Sequence, residues 1–225
     1  MSILKNLEPA AVFHFFEEIC SIPHTSFHEQ QLSDYLVQFA KDRNLYYEQD
    51  SLGNVLIIAP ATEGYEDVEP IILQGHTDMV GDKAPDCTLD LEKDGLQLAI
   101  DGDWIHAKGT TLGADNGIAV AYALAILDSQ EIPHPRLEVV LTVSEEVGLL
   151  GATAIDLSSC KANRLLNIDS EESEESEESK DDKDEEVKDD KDEEVKDDKD
   201  EEVKDDKDEE VKDDKDPKKD EKGNV

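Results

Sequence analysis

The sequence predicts an α/β domain: a three-layer α-β-α arrangement with a mostly parallel sheet, followed by a low-complexity acidic tail. Three observations carry this. Short apolar runs alternate with segments of helical period along the first 170 residues. Loops bearing imidazole or carboxylate groups follow the apolar runs, as sites do beyond the carboxyl ends of parallel strands. Composition changes near residue 170: every Tyr and Phe and the one Trp precede it, and Val is the one large aliphatic residue type after it.

Taken in order, Leu7 to Ile22 reads as a helix, with Pro9 in its first turn and Val12, Phe16 and Ile19 at helical spacing. Pro23 ends it. Ser26-Phe-His-Glu29 has the form of a capping box and predicts a second helix to about Arg43, with Leu32, Tyr35, Leu36 and Phe39 on one face. Asn54–Ala59 reads as a strand after Gly53. Pro60 to Glu69 reads as a polar loop. Pro70 to Val80 starts as an apolar run, hence a buried strand, and ends in His76-Thr77-Asp78. Leu89 to Ile105 predicts short strands turning at Lys93-Asp94-Gly95 and at Asp101-Gly102-Asp103. A glycine-rich loop, Gly109–Gly117, leads into an alanine-rich helix over Ile118–Leu127. Leu137–Val143 is a further strand running into Ser144-Glu145-Glu146, Leu149–Leu157 a short helix, and Leu165–Ile168 a last strand ending at Asp169.

The first 170 residues carry 28 acids and 9 bases, and residues 171–225 carry 31 acids and 13 bases, which together give the net charge of −37. Such a balance argues against nucleic acid and anionic membranes as partners and suits cations. Cys20, Cys87 and Cys160 are odd in number and widely spaced, which fits packing thiols in a reducing compartment rather than a disulfide framework or nucleophiles. The N-terminus has no basic region followed by an apolar one, and no apolar run is long enough to span a bilayer. These features lead to the expectation of a cytoplasmic protein.

Residues i and i+2 of a strand share a face, so His76 and Asp78 project side by side. An imidazole beside a carboxylate suits a metal ligand and its orienting partner, or a polar strand end with a satisfied histidine. Ligand-type residues recur at Asp115, Glu145, Glu146 and Asp169. Four separate loops would bring carboxylates and one imidazole to one sheet edge, and a pair of divalent metals would compensate that charge. Singly, Glu145 and Glu146 could be a solvated turn and Asp115 a helix cap. His14, His24, His28, His106 and His134 read as surface or core histidines.

Gln74-Gly-His-Thr-Asp-Met-Val80, Gly109-Thr-Thr-Leu-Gly-Ala-Asp-Asn-Gly-Ile118, Ser144-Glu-Glu-Val-Gly-Leu-Leu-Gly-Ala152 and Asn167-Ile-Asp-Ser-Glu-Glu172 together resemble the aminoacyl-histidine dipeptidases, or peptidase D, within the co-catalytic zinc peptidases. The resemblance covers about residues 1–172. It implies residues 1–170 as the N-terminal part of a zinc-peptidase catalytic domain that hydrolyses Xaa-His dipeptides with two Zn²⁺ ions. It further implies His76 as ligand of one zinc, with Asp78 as its orienting carboxylate. Asp115 would bridge both ions, with a cis peptide to Asn116. Glu145 would be the general base toward the attacking water, Glu146 a ligand of the second zinc and Asp169 a ligand of the first.

The family pattern continues with a lid domain that dimerises and binds substrate, then with a further zinc-ligand histidine. Here Asp169-Ser-Glu-Glu172 runs instead into Ser-Glu-Glu repeats and four copies of Lys-Asp-Asp-Lys-Asp-Glu-Glu-Val over 180–211. An eight-residue repeat with one Val forms no coiled-coil seam, so residues 171–225 read as a solvated tail, disordered or transiently helical. Without the lid and last histidine, a poorly bound second zinc, no lid-mediated homodimer and an uncovered apolar sheet edge are expected. Two functions follow: a zinc dipeptidase by lineage, or a catalytically dead remnant whose acidic tail binds or solubilises.

Overall fold

The computed structural model describes residues 2–169; the tail reading for 171–225 lies outside the described residues. The first helix, α1 (Ala10–Cys20), starts after Pro9 and buries Val12, Phe15, Phe16, Ile19 and Cys20. The second, α2 (Gln30–Asp42), buries Leu32, Leu36, Val37 and Phe39. A short polar strand, β1 (Tyr46–Gln49), follows, which the sequence pattern did not reveal. It returns through a tight turn into β2 (Val55–Ala59), buried throughout. The Asp50 carboxylate shapes that turn by accepting the N–H groups of Leu52, Gly53 and Asn54 at 2.9, 2.9 and 3.0 Å.

Next come β3 (Ile71–His76), the β4 (Leu98–Asp101) and β5 (Trp104–Ala107) hairpin, and α3 (Ala114–Asp128). Of the expected turns in Leu89–Ile105, the one at Gly102 joins two strands; the one near Asp94 does not. The chain ends its described part with β6 (Leu137–Thr142), the five-residue α4 (Leu150–Ala154) and β7 (Leu165–Asn167).

The main sheet has the order β1-β2-β6-β3-β7. β2 pairs antiparallel with both β1 and β6, while β3 pairs parallel with β6 and β7. Four of its five strands therefore point one way and β2 alone is reversed, which is the mostly parallel α/β sheet the sequence predicts. The tight β1–β2 turn accounts for the reversal, because a hairpin can join only antiparallel strands.

Alternation along the strands divides the core. Val55, Ile57, Leu137, Val139 and Leu141 face the large cluster made with α1, α2 and α3. Leu56, Ile58, Ile72 and Val140 face the other side, where Ile155, Cys160 and Ala162 cover them. The first face is covered by three helices, the second by the segment that follows the short α4. β7 at the open edge leaves Leu165 57% exposed, with Leu166 and Ile168 also exposed; this is the uncovered apolar edge anticipated above. Among the described residues no helix is long and apolar enough to cross a membrane.

The thin face is fastened by a charge. Glu138, the second residue of β6 and 0% exposed, pairs with Arg136 Nε at 2.7 Å. It also accepts the N–H groups of Lys161 and Ala162 at 2.9 and 3.0 Å. Burial by itself would push this carboxyl up, but Arg136 and the two N–H groups outweigh it and hold it below the ordinary glutamate range. A lowered folded value means the stabilisation is complete above that ordinary range and is lost as pH falls through the folded value. Glu138→Gln is expected to lower the unfolding free energy by about 1.5–3 kcal/mol at neutral pH. The loss should shrink toward acid pH, as read by urea titration at each pH.

Candidate metal centre

Parallel neighbours place their carboxyl ends on one edge, and here that edge collects the polar residues. β3 ends at His76. β6, on one side of it, runs into Ser144-Glu145-Glu146, and β7, on the other, runs into Asp169. The first turn of α3 brings Asp115 over the same edge; Asp115 and Asn116 depart from helical geometry, and the peptide bond between them is cis.

His76 is the centre of this group and is 1% exposed. Its Nδ1 faces two acceptors, the Asp78 backbone carbonyl at 2.9 Å and Asp78 Oδ1 at 3.3 Å. Both can only accept, so the proton of the neutral ring belongs on Nδ1. Nε2 then presents a lone pair to Asp115 Oδ1 at 3.2 Å, Glu145 Oε2 at 3.8 Å and Asp169 Oδ1 at 3.9 Å. Ligand atoms of His76, Asp115 and Glu146 all lie within 4.8 Å of one another. The structure thus brings together all six residues singled out in the sequence: His76, Asp78, Asp115, Glu145, Glu146 and Asp169.

A lone pair facing several carboxylate oxygens is repulsive unless a cation lies between them. Two kinds of cation answer: a proton on Nε2 or a metal ion. Burial, the largest effect, pushes the His76 pKa down. The hydrogen bond to Asp78 and the charges of Asp78, Glu145 and Asp169 outweigh it and hold it up at about 9. The Glu145 and Glu146 carboxyls are raised, first by desolvation, then by the neighbouring carboxylates, against the lowering by His76. Asp78 is lowered, although burial opposes it: His76, Ser26 and the Glu145 N–H all favour its charged form. An imidazole nitrogen and carboxylate oxygens form a donor set suited to zinc, so the residues fit a metal.

Several contributors escaped the sequence reading. Asn116 is buried; its Oδ1 accepts the His76 N–H at 3.2 Å and its Nδ2 donates to the Ile168 carbonyl. One amide thereby joins the ends of β3 and β7. Ser26 and Glu29 do not form the expected capping box: α2 begins without a side-chain cap. Ser26 Oγ donates to Asp78 Oδ2 at 2.7 Å, and Glu29 Oε1 accepts the Ser144 N–H and Oγ–H at 2.8 and 2.7 Å. Contacts to the site compete with the local cap and win.

None of the other histidines belongs to the metal-ligand group found among the described residues. His24 is buried, with Nδ1 at 2.6 Å from the Ile22 carbonyl. His14, His28 and His134 meet Glu18, Glu92 and the Pro135 carbonyl. The cysteines are free, and burial pushes the Cys20 thiol up to about 12 and the Cys160 thiol up to about 11, the opposite of nucleophile activation.

The place of Gly75 before His76 has a steric cause. A Cβ there would lie 2.5 Å from Asn116 Oδ1. Gly75→Ala is expected to displace the Asn116 amide and destabilise the domain by about 1–3 kcal/mol, measurable by denaturant unfolding.

No family model matches the chain. Over 172 residues it is 48% identical to the cytosol non-specific dipeptidase of Escherichia coli (strain K12), covering 76% of this chain and 36% of that protein. The crystal structure of an aminoacylhistidine dipeptidase from Vibrio alginolyticus matches with a TM-score of 0.73 and 47% identity, over 76% of this chain and 35% of that one. A tripeptidase from Staphylococcus aureus matches with a TM-score of 0.60 and 25% identity, over 71% of this chain and 43% of that one. The chain therefore spans about a third of the length of the dipeptidases it matches. Through the part that aligns, it is similar in sequence to the cytosol non-specific dipeptidase and to the aminoacylhistidine dipeptidase, and shares the α/β fold of the corresponding third of the latter.

Proposed function

We propose that residues 1–170 are the N-terminal part of the catalytic domain of a zinc-dependent dipeptidase, acting on short peptides with a free N-terminus, Xaa-His dipeptides among them. In this reading His76, Asp115, Glu146 and Asp169 would hold Zn²⁺. The observation that carries it is the convergence of carboxylate oxygens of Asp115, Glu145 and Asp169 on His76 Nε2 at 3.2–3.9 Å. The dipeptidase relatives support the reaction class.

The metal, when bound, supplies a polarised scissile carbonyl and a water acidic enough to attack at neutral pH. The protein's own groups do the rest. Asp78 fixes the ring and tautomer of His76. Glu145, within 3.8 Å of His76 Nε2, takes the proton of the attacking water and passes it to the leaving amine. A cleft of about 540 Å³ opens beside Glu146, lined in part by Phe27, His28, Val80 and Lys83. That volume admits a dipeptide.

Zinc titrated calorimetrically into the full chain should be taken up, and His76→Ala should abolish uptake at the same concentrations. Zinc at about 100 times its dissociation constant should stabilise the fold by about 2.7 kcal/mol, and a chelator should remove that gain. Glu145→Gln should retain zinc while lowering hydrolysis of a β-alanyl-histidine substrate by about 10²–10⁴-fold. Zinc uptake that ignores the His76 substitution would refute the reading.

A further inference from the structure

We infer that Glu29 and Ser26, in the segment leading into α2, are positioning residues that set the Ser144-Glu145-Glu146 turn and the Asp78 carboxylate beneath the metal centre. The inference rests on the metal-peptidase reading for its consequence, though not for its geometry. Ser144 is the pivot. Its φ is +51°, in the left-handed region that a non-glycine residue seldom enters unaided. Glu29 Oε1 engages Ser144 twice, through its N–H at 2.8 Å and its hydroxyl at 2.7 Å. Both residues are buried, so water does not compete for these bonds.

The next two residues are held from the other side. Asp78 Oδ1 accepts the Glu145 N–H at 2.9 Å, and Asp78 Oδ2 accepts the Glu146 N–H at 3.3 Å. Oδ2 is also the atom that receives the Ser26 hydroxyl at 2.7 Å. The 24–26 segment is itself pinned to the strand end: Met79 N–H donates to the His24 carbonyl at 3.1 Å, and Ser26 N–H donates to the Met79 carbonyl at 3.3 Å. A continuous series therefore runs from Glu29 through Ser144 to the Glu145 and Glu146 amides, then to Asp78 and His76 Nδ1. Glu29 and Ser26 touch no ligand atom. They decide where Glu145 and Glu146 stand relative to His76.

The test uses the full chain, with Glu29→Ala, Glu29→Gln and Ser26→Ala. Ser33→Ala is the control, since Ser33 is buried on the next turn of α2 and bonds the Gly53 carbonyl instead. Two readouts are taken: hydrogen exchange of the Ser144–Glu146 amides without metal, and affinity for Co²⁺ followed by its visible absorption. Glu29→Ala should speed exchange at Ser144 and Glu145 at least about tenfold and weaken Co²⁺ binding by about 10–100-fold with an altered spectrum. Glu29→Gln, which keeps one acceptor, should recover most of both, and Ser33→Ala should change neither. Should Glu29→Ala fail to fold, the partly buried Ser26→Ala carries the same comparison through the Glu145 and Glu146 amides. Wild-type exchange at 144–146 and an unchanged cobalt spectrum in both variants would overturn the inference. Lost protection in a chain that takes up no metal would uphold the positioning and sink the metal reading instead.

Discussion

The Asp78 carboxylate is the point on which the site depends. One oxygen meets His76 Nδ1 and the Glu145 N–H; the other meets the Ser26 hydroxyl and the Glu146 N–H. A single buried group thus joins the end of β3, the turn after β6 and the segment before α2. Its charge is what makes this possible, because a carboxylate offers several lone pairs and gains from each donor. Without those donors a buried charge would be untenable; with them its pKa is lowered rather than raised.

The same edge of the sheet works against folding. Asp78, Asp115, Glu145, Glu146 and Asp169 crowd one imidazole, and the Glu145 and Glu146 carboxyls are raised, first by desolvation and further by the neighbouring carboxylates. Stability comes from the opposite direction. The α1–α2–α3 face packs a continuous apolar cluster against β2 and β6, and Glu138 clamps the thinner face. The β7 edge, adjacent to Asp169, remains apolar and exposed. Groups whose chemistry is unfavourable to the fold are thereby confined to strand ends and turns, where the backbone can present them without disturbing the core.

Much of this was readable from local pattern. Helices α1 and α2 follow from apolar residues at helical spacing, α3 from an alanine-rich run after a glycine-rich loop, and β2, β3 and β6 from short apolar runs bounded by Gly and Pro. β1 was not readable, since Tyr46-Tyr-Glu-Gln49 has no apolar alternation and becomes a strand by pairing with β2. Ser26 and Glu29 were misread for a related reason. Their spacing suits a helix cap, but the competing partners lie 52 and 115 residues away. A motif built on i to i+3 spacing cannot register such a competitor.

The sequence by itself determined the α/β class, the order of the elements and the residue types able to bind a cation. These depend on periodicity and side-chain chemistry, which are local properties. The tertiary structure decided which of those residues share a centre: it alone aligned β3, β6 and β7 so that His76, Asp115, Glu145, Glu146 and Asp169 meet within a few ångströms. It also turned a helix-cap signature into support for that centre. Distances between segments far apart in the chain follow from strand pairing and packing as a whole, and no short stretch of residues contains them.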